Sequence, residues 1–238
     1  MVKVAVSGAL GKMGKRIINL IGQDADLKLV VALEQKGHSN IGTSAGGVKV
    51  RDNPTDIKEA DCLIEFSAPQ ATLEHLDFAL RYKKPMIIGT TGLNDQQKNK
   101  IMNSSRHISI VFSPNMSIGV NLLFNLVKEA AEKLGGGYTV DMVEAHHLHK
   151  KDAPSGTAKR LAEIVKSASG TEVRDIKSIR EDEIVGDHRV IFESEFDRIE
   201  LLHSAKTRDI FARGALEAAK WIIDKPTGLY TMQDVLKR

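Results

Sequence analysis

A short stretch rich in histidine and lysine carries the residues best suited to chemistry. Residues 144–158 read Glu-Ala-His-His-Leu-His-Lys-Lys-Asp-Ala-Pro-Ser-Gly-Thr-Ala, and three of the chain's eight histidines lie within them. Imidazole titrates near neutral pH, so a histidine here can supply a proton to a bound substrate. The two lysines that follow can attract an anion such as a carboxylate.

The same stretch predicts the start of a helix. After Ser155-Gly156-Thr157, apolar residues recur at helical spacing, at Ala158, Leu161, Ala162 and Val165. A helix start presents free backbone N–H groups and the positive end of the helix dipole. Gly156 lets a ligand approach the backbone closely. These residues together favour a carboxylate substrate that must also receive a proton.

Less specific interpretations of these residues remain open. Residues 152–155 could be only a helix cap with proline in the first turn, and the lysines could be a solvated face. His147 and His149 would share one face of a strand and could bind a metal ion. The chain has one cysteine and no clear third and fourth ligand nearby, so we expect no metal site.

A glycine motif at the N-terminus predicts a dinucleotide site. Val2–Ser7 reads as a strand, and Gly8, Gly11 and Gly14 follow it at the start of a helical pattern. Glycines here permit a tight turn, approach of a pyrophosphate and close packing of helix on strand. Glu34 lies twenty residues after Gly14, at the end of the next strand, where a carboxylate can bind the adenosine ribose.

Strand and helix patterns alternate through the first half of the chain. This alternation predicts an α/β fold, a Rossmann-type doubly wound parallel sheet with helices on both faces. Ligands in such sheets bind outside the carboxyl ends of the strands. Polar segments at 66–69, 89–92 and 113–117 fall there and could fix a nicotinamide.

The second half has a different pattern. A long helix is expected over residues 118–134, a strand over 138–145, and a strand-rich region over 177–204. We therefore expect a second, α+β domain over residues 118–207. The dinucleotide-binding domain would comprise residues 1–117 plus 208–238, with residues 37–47 as a surface loop.

Composition excludes several classes of protein. Hydrophobic residues make up 42% of the 238 residues, as in a globular protein. A net charge of +3 gives no reason to expect nucleic acid as a partner, and no apolar run is long enough for a membrane span. The lone Cys62 lies in an apolar run, as a buried thiol would in a reducing compartment. We expect a cytoplasmic protein without a signal peptide.

These motifs resemble the 4-hydroxy-tetrahydrodipicolinate reductase (dihydrodipicolinate reductase) family over nearly the whole chain. The stretch at 144–158 is similar to the family's signature, and segments 8–14, 89–92, 113–121 and 228–236 also look like family segments. The resemblance implies reduction of a small cyclic dicarboxylate by NADH or NADPH in lysine and diaminopimelate biosynthesis. It also implies a homotetramer whose second domains join their sheets.

The resemblance further implies roles for individual residues. His146 matches the proton donor and Lys150 a second catalytic position. The substrate-binding positions are His147, Ser155, Gly156 and Thr157. The cofactor-binding positions are Gly8, Ala9, Leu10, Gly11, Lys12, Met13, Glu34, Gly89, Thr90, Thr91, Ser113, Pro114, Asn115 and Met116. Some members carry arginine directly after the acidic residue, where this chain has Gln35, which argues against a strong preference for NADPH.

Three other functions share part of this pattern. Another two-domain dehydrogenase of amino-acid metabolism, such as an aspartate dehydrogenase, would have the fold but not the signature at 144–158. A nucleotide-sensing regulator would bind NAD(H) without needing an acid beside an anion site. A metal hydrolase would require a metal ion. Metal analysis and an assay of NADH oxidation distinguish these functions.

Overall fold

The computed structural model describes residues 1–237, which form two compact units. Unit 1 comprises Met1–Ser117 together with the C-terminal segment from Phe211, and unit 2 comprises Ile118–Ile210. None of the helices in the described part of the chain is long and apolar enough to cross a membrane.

Unit 1 contains an eight-stranded sheet. Its strands, numbered along the whole chain, are β1 (Val2–Ser7), β2 (Leu27–Leu33), β3 (Ser44–Ala45), β4 (Val48–Arg51), β5 (Cys62–Glu65), β6 (Met86–Ile88), β7 (Ser109–Phe112) and β12 (Gly228–Tyr230). They lie in the order β12-β7-β6-β5-β1-β2-β4-β3. Every pair is parallel except the β3–β4 pair. The carboxyl ends of the parallel strands therefore meet at one edge.

Helices cover both faces of this sheet. They are α1 (Lys12–Ile21), α2 (Pro69–Tyr82), α3 (Asp95–Ser104), α6 (Asp209–Ile222) and the short α7 (Met232–Leu236). Along β1, Val4 and Val6 pack in a cluster with α1 and α6, whereas Ala5 packs in a second cluster with α2 and α3. Successive strand residues point to opposite faces, so β1 is buried on both sides. The predicted α/β, doubly wound fold is confirmed.

The segment expected to be a loop at 37–47 contains part of a hairpin instead. Strands β3 and β4 pair antiparallel across Gly46 and Gly47, whose φ angles are 57° and 84°. Two consecutive positive φ angles are typical of the tightest hairpin turns, which glycine adopts without strain. The interpretation as a loop was wrong because a two-residue strand is too short to show a period-2 pattern. A short 3-10 helix, Pro54–Glu59, was missed as well.

Unit 2 is an α+β unit with a four-stranded mixed sheet. The strands β8 (Thr139–His146), β9 (Asp175–Arg180), β10 (Gly186–Glu193) and β11 (Arg198–Ala205) lie in the order β11-β10-β8-β9. Helices α4 (Ile118–Leu134) and α5 (Gly156–Ser169) pack on the sheet and share a core with Val140 and Met142 of β8. The long helix expected at 118–134 and the strand-rich second half are confirmed.

Candidate active site

Strand β8 carries two polar side chains where its apolar run ends. Val140, Met142, Glu144 and His146 alternate along the strand and so lie on one face. Val140 and Met142 belong to the core under the helices, and Glu144 and His146 are also buried, with 1% and 7% of their surface exposed. His146 Nδ1 is hydrogen-bonded to Glu144 Oε2. A buried carboxylate thus contacts the histidine expected to donate a proton.

The neighbouring strand β9 holds the other oxygen of this carboxylate. In the parallel pairing of β8 and β9, His146 lies opposite Arg180 and Glu144 opposite Ser178. Arg180 Nη2 donates to Glu144 Oε1 at 2.8 Å. The guanidinium therefore compensates the buried negative charge, which would otherwise be costly to desolvate.

Strand β10 adds a second buried imidazole, His188. Its ring meets the His146 ring edge to face with 5.1 Å between centroids, and its Nε2 lies 3.2 Å from Ser155 Oγ. Ser155 is the N-cap of α5 and accepts a hydrogen bond from the Ala158 N–H at 3.2 Å. His188 therefore connects the start of α5 to His146.

The expected helix start is confirmed at Gly156. Ala158, Leu161 and Val165 are buried on one face, and no atom lies within 4 Å of a β-carbon placed on Gly156. The expected cap within residues 152–155 is Ser155, but Pro154 precedes the cap, so its expected placement in the first turn was wrong. Backbone N–H groups and an open glycine at a helix start suit a carboxylate.

Two further cationic groups lie beside residues of the 144–158 stretch. Lys150 Nζ lies 2.9 Å from Asp152 Oδ1. His147 Nε2 lies 3.3 Å from Nη2 of Arg208, a residue that the sequence did not single out. The region thus offers an ammonium, a guanidinium and imidazoles to an anionic substrate.

Charge and burial set the protonation of this cluster. Burial would raise the pKa of Glu144, but hydrogen bonds from Arg180 and Ser178 outweigh it and hold that pKa below its usual value. Burial lowers the pKa of His146, the Glu144 charge opposes this, and the charges of Lys150 and Arg180 add to the lowering. Burial lowers the pKa of His188 to about 3. Glu144 is thus ionised and His188 neutral near pH 7.

Glu144, His146 and His188 also have potential metal-ligand atoms within 4.8 Å of one another. However, Glu144 already accepts from both His146 and Arg180, and the guanidinium charge opposes a cation. The cluster is therefore better described as a hydrogen-bonded Glu144–His146 pair with His188 packed against its ring than as a metal centre. The alternative with His147 and His149 on one face of a strand was wrong, because β8 ends at His146.

In unit 1, the glycine motif forms the tight turn between β1 and α1. Gly8 has a φ of 71°, and a β-carbon there would lie 2.3 Å from the Phe66 carbonyl oxygen. A β-carbon on Gly14 would lie 2.0 Å from the Gly8 carbonyl oxygen, so this glycine permits the close packing of α1 on the turn. Gly11 is the N-cap of α1 and supplies no side chain to bond the first N–H groups. These groups suit a phosphate.

Glu34 lies beside this turn. Its Oε2 accepts from the Leu10 N–H at 2.9 Å, and its Oε1 accepts from the Gln35 N–H at 2.9 Å. Gln35 and Lys36 are exposed. The carboxylate is therefore next to the glycine turn, where it could hydrogen-bond the ribose of a dinucleotide.

The remaining expected cofactor residues follow β6 and β7 at the same edge of the sheet. Thr90 is buried and its hydroxyl accepts from the Ser67 N–H at 3.2 Å. Ser113 is buried and donates to the Asn115 carbonyl oxygen at 3.0 Å. Unit 1 thus brings together Gly8–Met13, Glu34, 89–91 and 113–116, while unit 2 brings together His146, His147, Lys150 and 155–157.

Both units match one family. Residues 2–116 match the family described as dihydrodipicolinate reductase, N-terminus, and residues 119–236 match dihydrodipicolinate reductase, C-terminus. The chain belongs to the dihydrodipicolinate reductase family. The resemblance expected from the sequence is confirmed, and the chain is an oxidoreductase.

Similar proteins extend the family match over the whole chain. The 4-hydroxy-tetrahydrodipicolinate reductase of Syntrophotalea carbinolica is 40% identical, and the match covers 99% of each chain. That of Syntrophus aciditrophicus is 38% identical, over 99% of this chain and 98% of the other. The dipicolinate-bound dihydrodipicolinate reductase from Paenisporosarcina sp. TG-14 has the same fold, with a TM-score of 0.85 and 22% identity over 97% of each chain.

This family member contains buried polar residues that sequence reasoning did not assign. Glu144 is in phase with Val140 and Met142, so period-2 alternation in β8 could have revealed it as a charged residue on the core face. No comparable pattern in the sequence pointed to Arg180 or His188.

Unit 1 also contains a buried polar pair. The fully buried Glu65 at the end of β5 is hydrogen-bonded to His75 Nδ1 at 2.7 Å, and Ser7 Oγ lies 3.1 Å from the same nitrogen.

The Glu65–His75 pair should make the stability of this reductase depend on pH. Burial lowers the pKa of His75, but the hydrogen bond and charge of Glu65 outweigh it, so the pKa is raised. A raised folded-state pKa stabilises the fold below the unfolded pKa, about 6.5, and the contribution is lost as pH rises through the folded value. We therefore compare the unfolding free energy of wild type with that of His75→Gln. The difference in favour of wild type should be larger at about pH 5.5 than at about pH 8.5.

Urea unfolding of both proteins across this range measures the difference. Burial lowers the pKa of His188 and His203, which gives the opposite pH trend, but this trend cancels when the two proteins are subtracted. His107→Gln, an exposed histidine in the same unit, is the matched control. A difference between wild type and His75→Gln that does not vary with pH would contradict the raised pKa.

Proposed function

We propose that this chain reduces 4-hydroxy-tetrahydrodipicolinate to tetrahydrodipicolinate in lysine and diaminopimelate biosynthesis, with NADH or NADPH as reductant. The observation that carries the proposal is the buried His146–Glu144 pair beside the open start of α5, in a chain of this family. The curated relatives are named 4-hydroxy-tetrahydrodipicolinate reductase, after this reaction.

The residues of unit 1 fit a dinucleotide. The glycine turn leaves the first N–H groups of α1 without a side-chain cap, and the Glu34 carboxylate lies beside it. Bound nicotinamide would supply a hydride to C4 of the substrate ring. Gly8–Met13, Glu34, Gly89–Thr91 and Ser113–Met116 would hold the nucleotide, as the family resemblance implies.

The residues of unit 2 would bind the substrate and handle the proton. The N–H groups of Gly156 and Thr157, with Ser155, His147 and Lys150, would hold a substrate carboxylate. After water leaves the substrate, hydride addition places negative charge on a conjugated system that must then be protonated. His146, as the imidazolium, would donate that proton. The Lys150 ammonium would also favour the developing negative charge.

Replacing Lys150 with alanine should harm both substrate affinity and turnover. An ammonium that only held the ground-state carboxylate would raise KM alone, whereas one that also stabilises the transition state lowers kcat. We expect kcat/KM to fall by about 10²-fold or more, as for loss of a charge-assisted contact of about 3 kcal/mol. Steady-state kinetics of purified protein measure both parameters.

The adjacent Lys151 provides the control for this variant. Lys151 is exposed, so Lys151→Ala removes the same charge one residue away. If Lys150→Ala and Lys151→Ala have the same kinetics as wild type, the Lys150 ammonium is only a solvated charge.

The proposed function is tested by an assay with freshly made substrate. Substrate from a coupled aldolase reaction is added to the purified chain with NADH or NADPH, and oxidation of the nucleotide is followed. We expect oxidation of the nucleotide to require the substrate and to continue in the presence of a metal chelator. We expect no reduction of NAD⁺ when aspartate is supplied instead. Oxidation of aspartate would favour an aspartate dehydrogenase, and loss of activity on chelation would favour a metal enzyme.

We also propose a cytoplasmic homotetramer assembled through unit 2. Support comes from the family resemblance, the buried free thiol of Cys62, and the edge strand β11 with its exposed Ile199 and Leu202. An edge strand with exposed apolar side chains can pair with a second copy. Light scattering of the purified protein measures the number of subunits.

A further inference from the structure

We propose that Glu144 and Arg180 are positioning residues that fix which nitrogen of His146 delivers the proton. The inference rests on the reductase activity proposed above and deepens it, because it gives a chemical role to two residues beneath the candidate proton donor. Neither would touch the substrate. Both would act through the His146 ring.

Glu144 determines where the proton on the His146 ring lies. Glu144 Oε2 is bonded to His146 Nδ1, and the carboxylate is 1% exposed and ionised. A carboxylate only accepts hydrogen bonds, so the ring must donate its Nδ1 proton. Nδ1 is then protonated whether the ring is neutral or charged. Nε2 is therefore the nitrogen that gains and loses a proton during turnover.

A glycine lies beside Nε2 of His146. Gly186, at the start of β10, faces the His146 ring, and a β-carbon there would lie 3.0 Å from Nε2 and 3.3 Å from Cδ2. Any other residue would crowd this edge of the imidazole. The glycine leaves Nε2 clear, while the opposite edge of the ring is held by Glu144.

Arg180 holds the Glu144 carboxylate in place. Arg180 donates to Glu144 Oε1 at 2.8 Å, to its neighbour's carbonyl oxygen, Ile179 O, at 2.7 Å and to the Asp152 carbonyl oxygen at 2.5 Å. Asp152 belongs to the segment that joins Lys150 to the start of α5. A rigid guanidinium fork with three acceptors fixes the carboxylate in one orientation. It also connects the carboxylate to the segment that carries Lys150.

Neighbouring charges act on the protonation of the His146 ring. Burial disfavours the imidazolium of His146, and Lys150 and Arg180 add positive charge, while the charge and hydrogen bond of Glu144 oppose them. His188, which faces the ring from β10, stays neutral because burial lowers its pKa to about 3. The net result is a pKa of His146 below its usual value, and without Glu144 this pKa would be lowered further. The carboxylate thus opposes the loss of the proton that His146 would donate.

Glu144→Gln tests this role. Arg180 needs an acceptor, so the amide oxygen should face the guanidinium and the amide NH₂ should face Nδ1. Nδ1 must then accept instead of donate, which disfavours the imidazolium. We expect kcat to fall by about 10- to 10³-fold with KM changed by less than about threefold.

The pH profile supplies a readout that a merely structural role would not change. In wild type, kcat/KM should fall as pH rises and His146 loses its proton. In Glu144→Gln this fall should move to lower pH by about 1–3 units, the usual effect of removing a neighbouring opposite charge. Glu144→Asp should recover part of the activity and restore most of the shift, and Glu183→Gln, an exposed glutamate, should match wild type. A Glu144→Gln enzyme with wild-type kcat and pH profile would overturn the proposal.

A measurement on the wild-type protein covers the case in which Glu144→Gln does not fold. Nitrogen-15 NMR of histidine-labelled protein should show the neutral His146 ring protonated at Nδ1. A neutral ring protonated at Nε2 would overturn the proposal. This measurement needs no turnover, so it also distinguishes the two proposals. If the wild type does not reduce the substrate, the proposed function fails, whereas the tautomer reports on Glu144 alone.

Discussion

Replacing His146 with glutamine should lower kcat by about 10²–10⁴-fold, the usual effect of losing one general acid. Glutamine has a similar length and can still donate a hydrogen bond, but it cannot transfer a proton at neutral pH. The hydride would reach the substrate, and the negative charge that it creates would have no acid beside it. Binding of NADH should change little, because the glycine turn and Glu34 lie in the other unit.

His149→Gln is the matched control for this variant. His149 lies in the turn after β8 and is exposed, so it shares the sequence neighbourhood but not the bond to Glu144. Single-turnover kinetics measure the chemical step, and fluorescence titration measures NADH binding. An His146→Gln enzyme with the kcat of wild type would remove this histidine from the mechanism.

Replacing Gln35 with arginine should shift the cofactor preference toward NADPH. We expect the wild type to use both nucleotides, with NADH equal or somewhat better. The Glu34 carboxylate should accept hydrogen bonds from the ribose hydroxyls of NADH, and its charge should repel a 2′-phosphate. Gln35 carries no charge, and Lys36 offers a point charge rather than the fork by which arginine holds a phosphate. A charged hydrogen bond from the new arginine should favour NADPH by about 1.5–3 kcal/mol.

The measurement is kcat/KM for both nucleotides, in wild type and variant, at one ionic strength. Gln96→Arg adds the same charge on an exposed position of α3 and should leave the ratio unchanged. A hundredfold preference of the wild type for NADPH would contradict the role given to Glu34. An unchanged ratio in Gln35→Arg would contradict the placement of residue 35 beside the ribose.

Features that depend on neighbours along the chain could be predicted from the sequence. The glycine spacing, the capped start of α5 and the alternation of strands and helices each follow from local preferences. They predicted the parallel sheet, the helix beginning at Gly156 and the helix Ile118–Leu134. The turn between Gly8 and Gly14 could be expected because only glycine fits such close backbone contacts.

Features that depend on how distant segments pack together could not be predicted from the sequence. Arg180 reaches Glu144 only because β9 pairs with β8 in a register that puts Arg180 opposite His146, 34 residues away by number. A shift of one residue would turn Arg180 to the other face. His188 reaches both His146 and Ser155 for the same reason, through the pairing of β10 with β8. The buried Glu65–His75 pair depends instead on how α2 packs against the end of β5, which the sequence pattern did not indicate either.

The central claim is hydride transfer from a nicotinamide nucleotide to the substrate ring. Its most direct test is turnover with NADH in which both hydrogens at C4 of the nicotinamide are deuterium, followed by mass and NMR analysis of the product. We predict tetrahydrodipicolinate with one deuterium, at C4 of the ring, formed in step with oxidation of the nucleotide. Product without deuterium, or no product from correctly folded protein with either nucleotide, would contradict the proposed function.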